Sequence, residues 1–224
     1  MANVSGIHRL WAQNAHQLAA PLRTPQQART REGTQKMLDA GRHLLNQKDI
    51  DQISIKEIVS AAGASIGSFY HRFETKDAFF RCLVEDMVIH RESAAMANFE
   101  TAPTMELPET LARGAIDNHR RYSGMLRSAI RSHLSGSDIW HPFKLMGQRL
   151  VDEYIRRLEC DLKRPLRPEE RERVAFGFVW LYGLLAQSVM DLNSIAEYNI
   201  QQSVFEESSV SSFVHILNTA ISDN

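Results

Sequence analysis

The chain has 224 residues, 43% of them hydrophobic, and a formal net charge of −1. That length suits one large or two small domains with a sizeable core, and near-neutrality argues against a general nucleic-acid coat protein. Two cysteines, Cys82 and Cys160, stand far apart without CxxC spacing, so no disulfide framework is expected and a reducing compartment is. No apolar run approaches the ~20 residues of a membrane span, and no apolar signal core opens the chain. The expectation is a soluble, cytoplasmic protein with no membrane partner. The charge is uneven: residues 1–80 carry ten Lys/Arg against seven Asp/Glu, and residues 81–224 sixteen against twenty. The N-terminal end is the basic one.

In chain order, residues 1–23 read as an arm, with Val4, Ile7, Leu10, Trp11 and Leu18 on one short amphipathic helix that Pro21 ends. Arg9 and Arg23 make it a candidate minor-groove or partner-binding arm; a loosely docked extension reads the same. Thr24 then caps a helix that Pro25 begins and that runs to about Gln47. Its inner stripe is Thr34, Met37, Gly41, Leu44 and Leu45, and Arg29 and Arg31 lie near its start.

The stretch Ser54 to Lys76, SIKEIVSAAGASIGSFYHRFETK, carries the strongest local signals. Ser54 with Glu57 three residues on makes a capping box. Ile55, Ile58, Val59 and Ala62 give that helix an apolar face, and Gly63 ends it in a left-handed conformation. Ser65 caps a second, shorter helix whose Phe69 faces inward together with Phe73. Two short helices across a glycine turn form a helix-turn-helix candidate, the second helix entering a major groove. Gly67 and Ser68 make its outer side thin. Tyr70, Arg72 and Lys76 are in reach of phosphates; Ile66, Gly67, Ser68 and His71 are in reach of base edges. An ordinary helical hairpin has the same spacing, so spacing alone does not separate the two.

Thr75 caps a long helix with the stripe Phe79, Phe80, Leu83, Val84, Met87 and Val88, fading by Phe99. Residues 108–122 and 124–135 read as two helices broken near Ser123 and Gly124. Asp138 caps the next, with Pro142 tolerated in its first turn. Pro165 and Pro168 bound a charged loop. The helix from Pro168 to about Leu192 is apolar nearly all round: Val174, Phe178, Leu181, Leu185 and Leu192 on one side, Phe176, Val179, Gly183, Ala186 and Met190 on another. A last helix over 203–221 has Val210, Phe213, Val214, Leu217 and Ile221 as its stripe. The expected dimer interface is a four-helix arrangement of these last two helices with their copies, through Val174, Phe178, Leu181, Leu185, Phe213 and Leu217. A monomer with a buried central helix is the alternative. No strand pattern competes, so the fold class is all-α.

The run AAGASIGSFYHRFETKDAFF resembles the N-terminal signature of the tetracycline-repressor (TetR) family of transcription regulators. Ala62, Gly63, Ser65, Gly67, Ser68, Phe69, Tyr70, Phe73, Lys76 and Asp77 stand where that family's pattern has them. The upstream KMLDAGRHLLNQKDID is similar to its first helix. Ala64 departs from the usual valine, Val59 from alanine, and Asp49 from the glycine that closes the first helix. The resemblance covers about a quarter of the chain. It implies an N-terminal helix-turn-helix domain at 24–76 and a helical ligand-binding and dimerisation domain at 77–224. It also implies a homodimer on a palindromic double-stranded DNA operator, released by a small-molecule effector. The DNA-binding candidates are Arg29, Ser54, Lys56, Ser65, Ile66, Gly67, Ser68, Tyr70, His71, Arg72 and Lys76.

Other chemistry is faint. There is no HExxH, zinc spacing, GxSxG, P-loop or GxGxxG, and no carboxylate pair placed for acid–base work. No catalytic residue, metal site or cofactor is assigned. Met87, His90, His119, Tyr122, Trp140, Phe143, Met146, Phe176 and Trp180 are candidates for an effector cavity, and side chains of these types at helical spacing serve equally as core. The competing readings are a helical metal- or ligand-sensing module or enzyme with an unused DNA-binding head, and an adaptor acting through the Trp11 arm.

Overall fold

A computed structural model describes residues 25–190 and 200–221, with the backbone alone at 25–30. The 1–23 arm, the Arg29 side chain and Leu192 lie outside the described residues. Nine α-helices account for the described chain, and no strand occurs among the described residues. They are α1 (Pro25–Leu45), α2 (Ile55–Ala61), α3 (Ile66–Tyr70), α4 (Lys76–Thr101), α5 (Leu107–Arg121), α6 (Ser123–Leu134), α7 (His141–Leu162), α8 (Pro168–Val189) and α9 (Ser203–Ala220). Short 3-10 turns cover Ile50–Gln52 and Asp138–Trp140. The latter stands where Asp138 was expected to cap a helix, and α7 starts three residues later.

The chain divides into two compact units. The first holds residues up to Leu44 and Ile53–Leu83. Its helix ends follow from local chemistry. Ser54 Oγ accepts from the Glu57 amide at 3.2 Å, and Glu57 Oε2 accepts from the Ser54 amide at 2.8 Å, closing the capping box. Gly63 follows α2 at φ 61°, a region that costs glycine nothing. Ser65 Oγ accepts from the Ser68 amide at 3.1 Å, and Thr75 Oγ1 from the Ala78 amide at 3.0 Å. The interior is aromatic. Ring centroids lie 5.3 Å apart for Phe69–Phe73, 5.4 Å for Phe69–Phe79 and 5.0 Å for Phe73–Phe79, and Met37, Ile53, Ile58, Phe80 and Leu83 complete the core. So few residues bury little surface, and large rings supply much of it.

The second unit holds Leu45–Gln52 and the chain from Val84 on. Helix α8 is its centre, packed on α5, α6, α7 and α9. Phe178 meets Phe213 edge-on at 5.3 Å and Tyr154 at 5.9 Å. Arginines close loose ends. Arg157 donates to the carbonyls of Phe99 and Ala102 at 3.0 and 3.1 Å, capping the C-terminus of α4. Arg164 grips the buried Glu170 carboxylate at 2.8 and 2.9 Å, and with Arg167 holds it well below the usual carboxylate range.

Two expectations change. Val174, Phe178, Leu181, Leu185, Phe213 and Leu217 are all buried in their own unit, at 4% exposure or less. They cannot form a dimer interface, because this unit's own helices already cover them. The outward side of α8 is the other one, with Phe176 60% and Val179 69% exposed. Asp49 does not close α1 in a left-handed conformation; Lys163 is the only described non-glycine residue with positive φ. Asp49 instead pairs with Arg127 and Arg131 of α6. The break falls at Tyr122, beside the expected Ser123 and Gly124, and Gly124 serves a close approach. A Cβ there would fall 1.7 Å from the Leu45 carbonyl oxygen.

Candidate nucleic-acid interface and ligand cavity

In the first unit, α2, the Gly63 turn and α3 present one edge to solvent. Phe69 is fully buried, which turns the neighbouring positions outward: Ile66 is 50% and Tyr70 52% exposed. Gly67, His71, Ser54, Lys56 and Ser65 are exposed as well. The Tyr70 ring leans edge-on against Phe69 at 5.7 Å, which orients its hydroxyl without hiding it. An added Cβ at Gly67 would meet nothing nearer than Ser65 Oγ at 4.0 Å. Folding alone therefore does not require glycine at this place.

Two candidates point inward instead. Arg72 Nη1 donates to the Ser68 carbonyl at 2.8 Å and to Ser68 Oγ at 2.5 Å. Its guanidinium lies over α1, where a Cβ on Gly33 would come within 2.6 Å of Nη2. Arg72 thus orients Ser68, and both are only half-exposed. Lys76 Nζ donates to the Ile53 carbonyl at 3.2 Å, tying the first turn of α4 to the residue before the Ser54 cap.

The second unit contains an open cavity of about 780 Å³, within the range of small-molecule sites. His119, Trp140, Phe143 and Met146 line it, together with Arg91, Leu126, Gly147, Val151, Phe178, Val179 and Tyr182. The other expected lining residues do not. Met87 is packed in the core, His90 and Phe176 are exposed, and Tyr122 and Trp180 are half-buried away from the cavity. Their spacing matched the lining residues, but helix rotation sent them elsewhere. Trp140 and Phe143 stack at 4.5 Å to form an aromatic wall.

Arg91 and His119 are the buried polar pair of this wall, 5% and 4% exposed. His119 Nδ1 lies 2.7 Å from the Ala115 carbonyl, so Nδ1 carries the proton and donates. The 3.5 Å approach of Arg91 Nη2 to the same nitrogen is then a contact between two donors. Burial, and next the Arg91 charge, depress the His119 pKa to about 3, while the Ala115 bond opposes them. The ring is neutral at pH 7. Burial also lowers the Arg91 pKa, which the nearby phenols of Tyr182 and Tyr122 partly offset. Arg91 escaped the sequence reading because it carries no motif. It is one of several charged residues on α4, and nothing in its spacing separates it from the solvated ones.

Residues 37–83 match the family model described as bacterial regulatory proteins, tetR family. The uncharacterized HTH-type transcriptional regulator YvdT of Bacillus subtilis is 34% identical over 56 residues. That alignment spans 25% of this chain and 29% of the relative. A tetR-family transcriptional regulator from Streptomyces coelicolor shares the fold at TM-score 0.61 and 14% identity, over 84% of this chain and 82% of that one. PfmR, a TetR family regulator from Thermus thermophilus, does so at TM-score 0.57 and 15% identity, over 81% and 97%. The sequence match covers the helix-turn-helix, and the structural likeness extends the shared fold through the second unit.

Proposed function

We propose that this chain, a member of the TetR family of DNA-binding transcriptional regulators, acts as a dimeric repressor that a small-molecule effector releases from a palindromic operator. The observation that carries the DNA contact is the bare edge of α3: a glycine the fold does not need, flanked by the exposed Ile66, Tyr70 and His71. A thin edge admits close approach of a DNA strand to backbone. Ile66, Gly67 and His71 meet base edges; Tyr70 and Lys56 meet phosphates; Arg72 positions Ser68 from behind. A dimer places two such edges about one helical turn apart, ~34 Å.

The dimer face is the outward side of α8. Phe176 and Val179 expose large apolar surface there, and contiguous exposed apolar surface marks interaction sites. The cavity is the effector site. Its wall includes Val179 and Gly183 of that same face and Arg91 of α4, so an occupant bears on both. A coupling of about 1–3 kcal/mol would change operator affinity roughly 5- to 150-fold. Nothing in this scheme requires catalysis, and the family is one of regulators rather than enzymes.

The test is selection of bound sequences from a random DNA pool, followed by gel shifts on the selected operator. Tyr70→Ala with Lys56→Ala should weaken binding to all sequences alike and lower the salt slope by about 1, through the lost Lys56 charge. Unchanged affinity of that double variant would sink the interface assignment.

A further inference from the structure

The cavity's lining says what class of molecule it takes; this deepens the effector reading above and rests on it. Most of the wall is apolar or aromatic, including Leu126, Trp140, Phe143, Val151 and Phe178. Arg91 interrupts it, and is 5% exposed. An arginine so buried ordinarily sits against a carboxylate. Among the described residues Arg91 has none. His119, whose Nδ1 lies 3.5 Å from Arg91 Nη2, is neutral and gives its Nδ1 proton to the Ala115 carbonyl, so that nitrogen offers Arg91 no acceptor. The carboxylates close by in sequence are engaged elsewhere. Asp86 stands 3.7 Å from His90 Nδ1, and Glu92 takes a forked contact from Arg149, with Nη2 at 2.6 Å from Oε2. The other charged groups on the cavity, Lys144 and Asp152, are exposed and of opposite sign.

We propose that Arg91 is the anion anchor of the cavity, and that the effector is an organic carboxylic acid with an apolar or aromatic body. The guanidinium fork matches a carboxylate in two parallel hydrogen bonds. Tyr182, whose phenol lies close enough to Arg91 to perturb it, supplies a further donor to the same carboxylate. Trp140, Phe143 and Met146 hold the apolar body. The neutral His119 ring adds no second positive charge, so one carboxylate balances the site. Burial lowers the Arg91 pKa, and an anion held against the guanidinium opposes that shift.

The experiment uses the full-length protein and two matched pairs of probes, 2-naphthoate with 2-naphthamide and decanoate with decanol. Binding is read by calorimetry and by the shift in Tm. The expected result is that at least one acid binds roughly tenfold or more tighter than its neutral partner, the scale of a charge-assisted hydrogen bond. Arg91→Gln should erase that preference, and Arg91→Lys should keep part of it. Equal affinity for acid and neutral partner overturns the proposal. So does failure of both acids to bind, or an unchanged acid preference in a folded Arg91→Gln protein. Because the wild-type comparison needs no variant, a misfolded Arg91→Gln leaves the test intact. Operator affinity, measured in parallel without probe, separates failure of the anion site from failure of the DNA-binding reading.

Discussion

The two units place their chemistry on opposite sides of their surfaces. The first fills its interior with phenylalanine and turns its distinctive residues outward, Ile66, Gly67, Tyr70 and His71. The second leaves a cavity inside and puts Arg91 and His119 against it. The difference follows from what each recognises in the proposed function. A DNA duplex is large and must be met by an exposed, thin edge, whereas a small molecule is held by being surrounded. The consequence for stability is that no fully buried polar residue lies in the core of the first unit among the described residues, while the second carries a cation and a suppressed titration.

The sharpest way to break this comparison is to hollow the first unit. Phe69→Ala removes a ring that touches Phe73, Phe79 and Tyr70, and should cost about 3–5 kcal/mol in denaturant unfolding. A loss below ~1 kcal/mol would show that the aromatic cluster is not what holds the helix-turn-helix together.

Next, Gly124→Ala forces a methyl group onto the Leu45 carbonyl in the second unit, and backbone cannot yield as a flexible side chain does. The expected cost is about 1–3 kcal/mol or more, visible as a lower Tm. A neutral result would mean that this approach is looser than its geometry.

The third concerns the suppressed histidine. His119 titrates at about 3 when folded and near 6.5 when unfolded. The unfolded chain therefore binds the extra proton first. Stability is full above pH ~6.5 and falls as pH drops from there toward 3, by at most about 1.4 kcal/mol per unit. Unfolding measured across pH 4–7 should show this slope in wild type and lose it in His119→Leu. A slope that persists in the variant belongs to other groups.

The smallest change in stability carries the most information. Gly67→Ala should leave the fold intact or stabilise it by up to ~1 kcal/mol, since alanine is the better helix former. Operator binding should nevertheless fall at least about tenfold, as one unfavourable methyl contact of ~1.4 kcal/mol suffices. A variant more stable and equally active would mean that α3 does not approach DNA closely.

Legibility differed between the units for a physical reason. Capping boxes, glycine turns and inward rings are interactions between residues three to five apart. Ser54 with Glu57, Ser65 with Ser68, Gly63 and the pair Phe69–Phe73 therefore all lay open to a linear reading. The cavity is assembled from α4, α5, α6, α7 and α8, and a helix rotated by one residue swaps a lining side chain for a core one. That is why His119, Trp140, Phe143 and Met146 were found together with Met87, His90, Tyr122, Phe176 and Trp180, which lie elsewhere. It is also why Val174, Phe178, Leu181 and Leu185, expected at an interface, lie in the core: both sides of α8 are apolar, and periodicity has no sign.

By itself the amino-acid order settled the all-helical class, most of the helix boundaries and the helix-turn-helix with its exposed glycine, because these depend on contacts within a turn or two. The packed chain alone decided which side of α8 stays bare, that Arg72 and Lys76 are tied to the head's own carbonyls, and that Arg91 faces a cavity with no carboxylate paired to it among the described residues. Those outcomes depend on which distant helix covers which face, and burial of that kind is a property of the assembled surfaces rather than of neighbours along the chain.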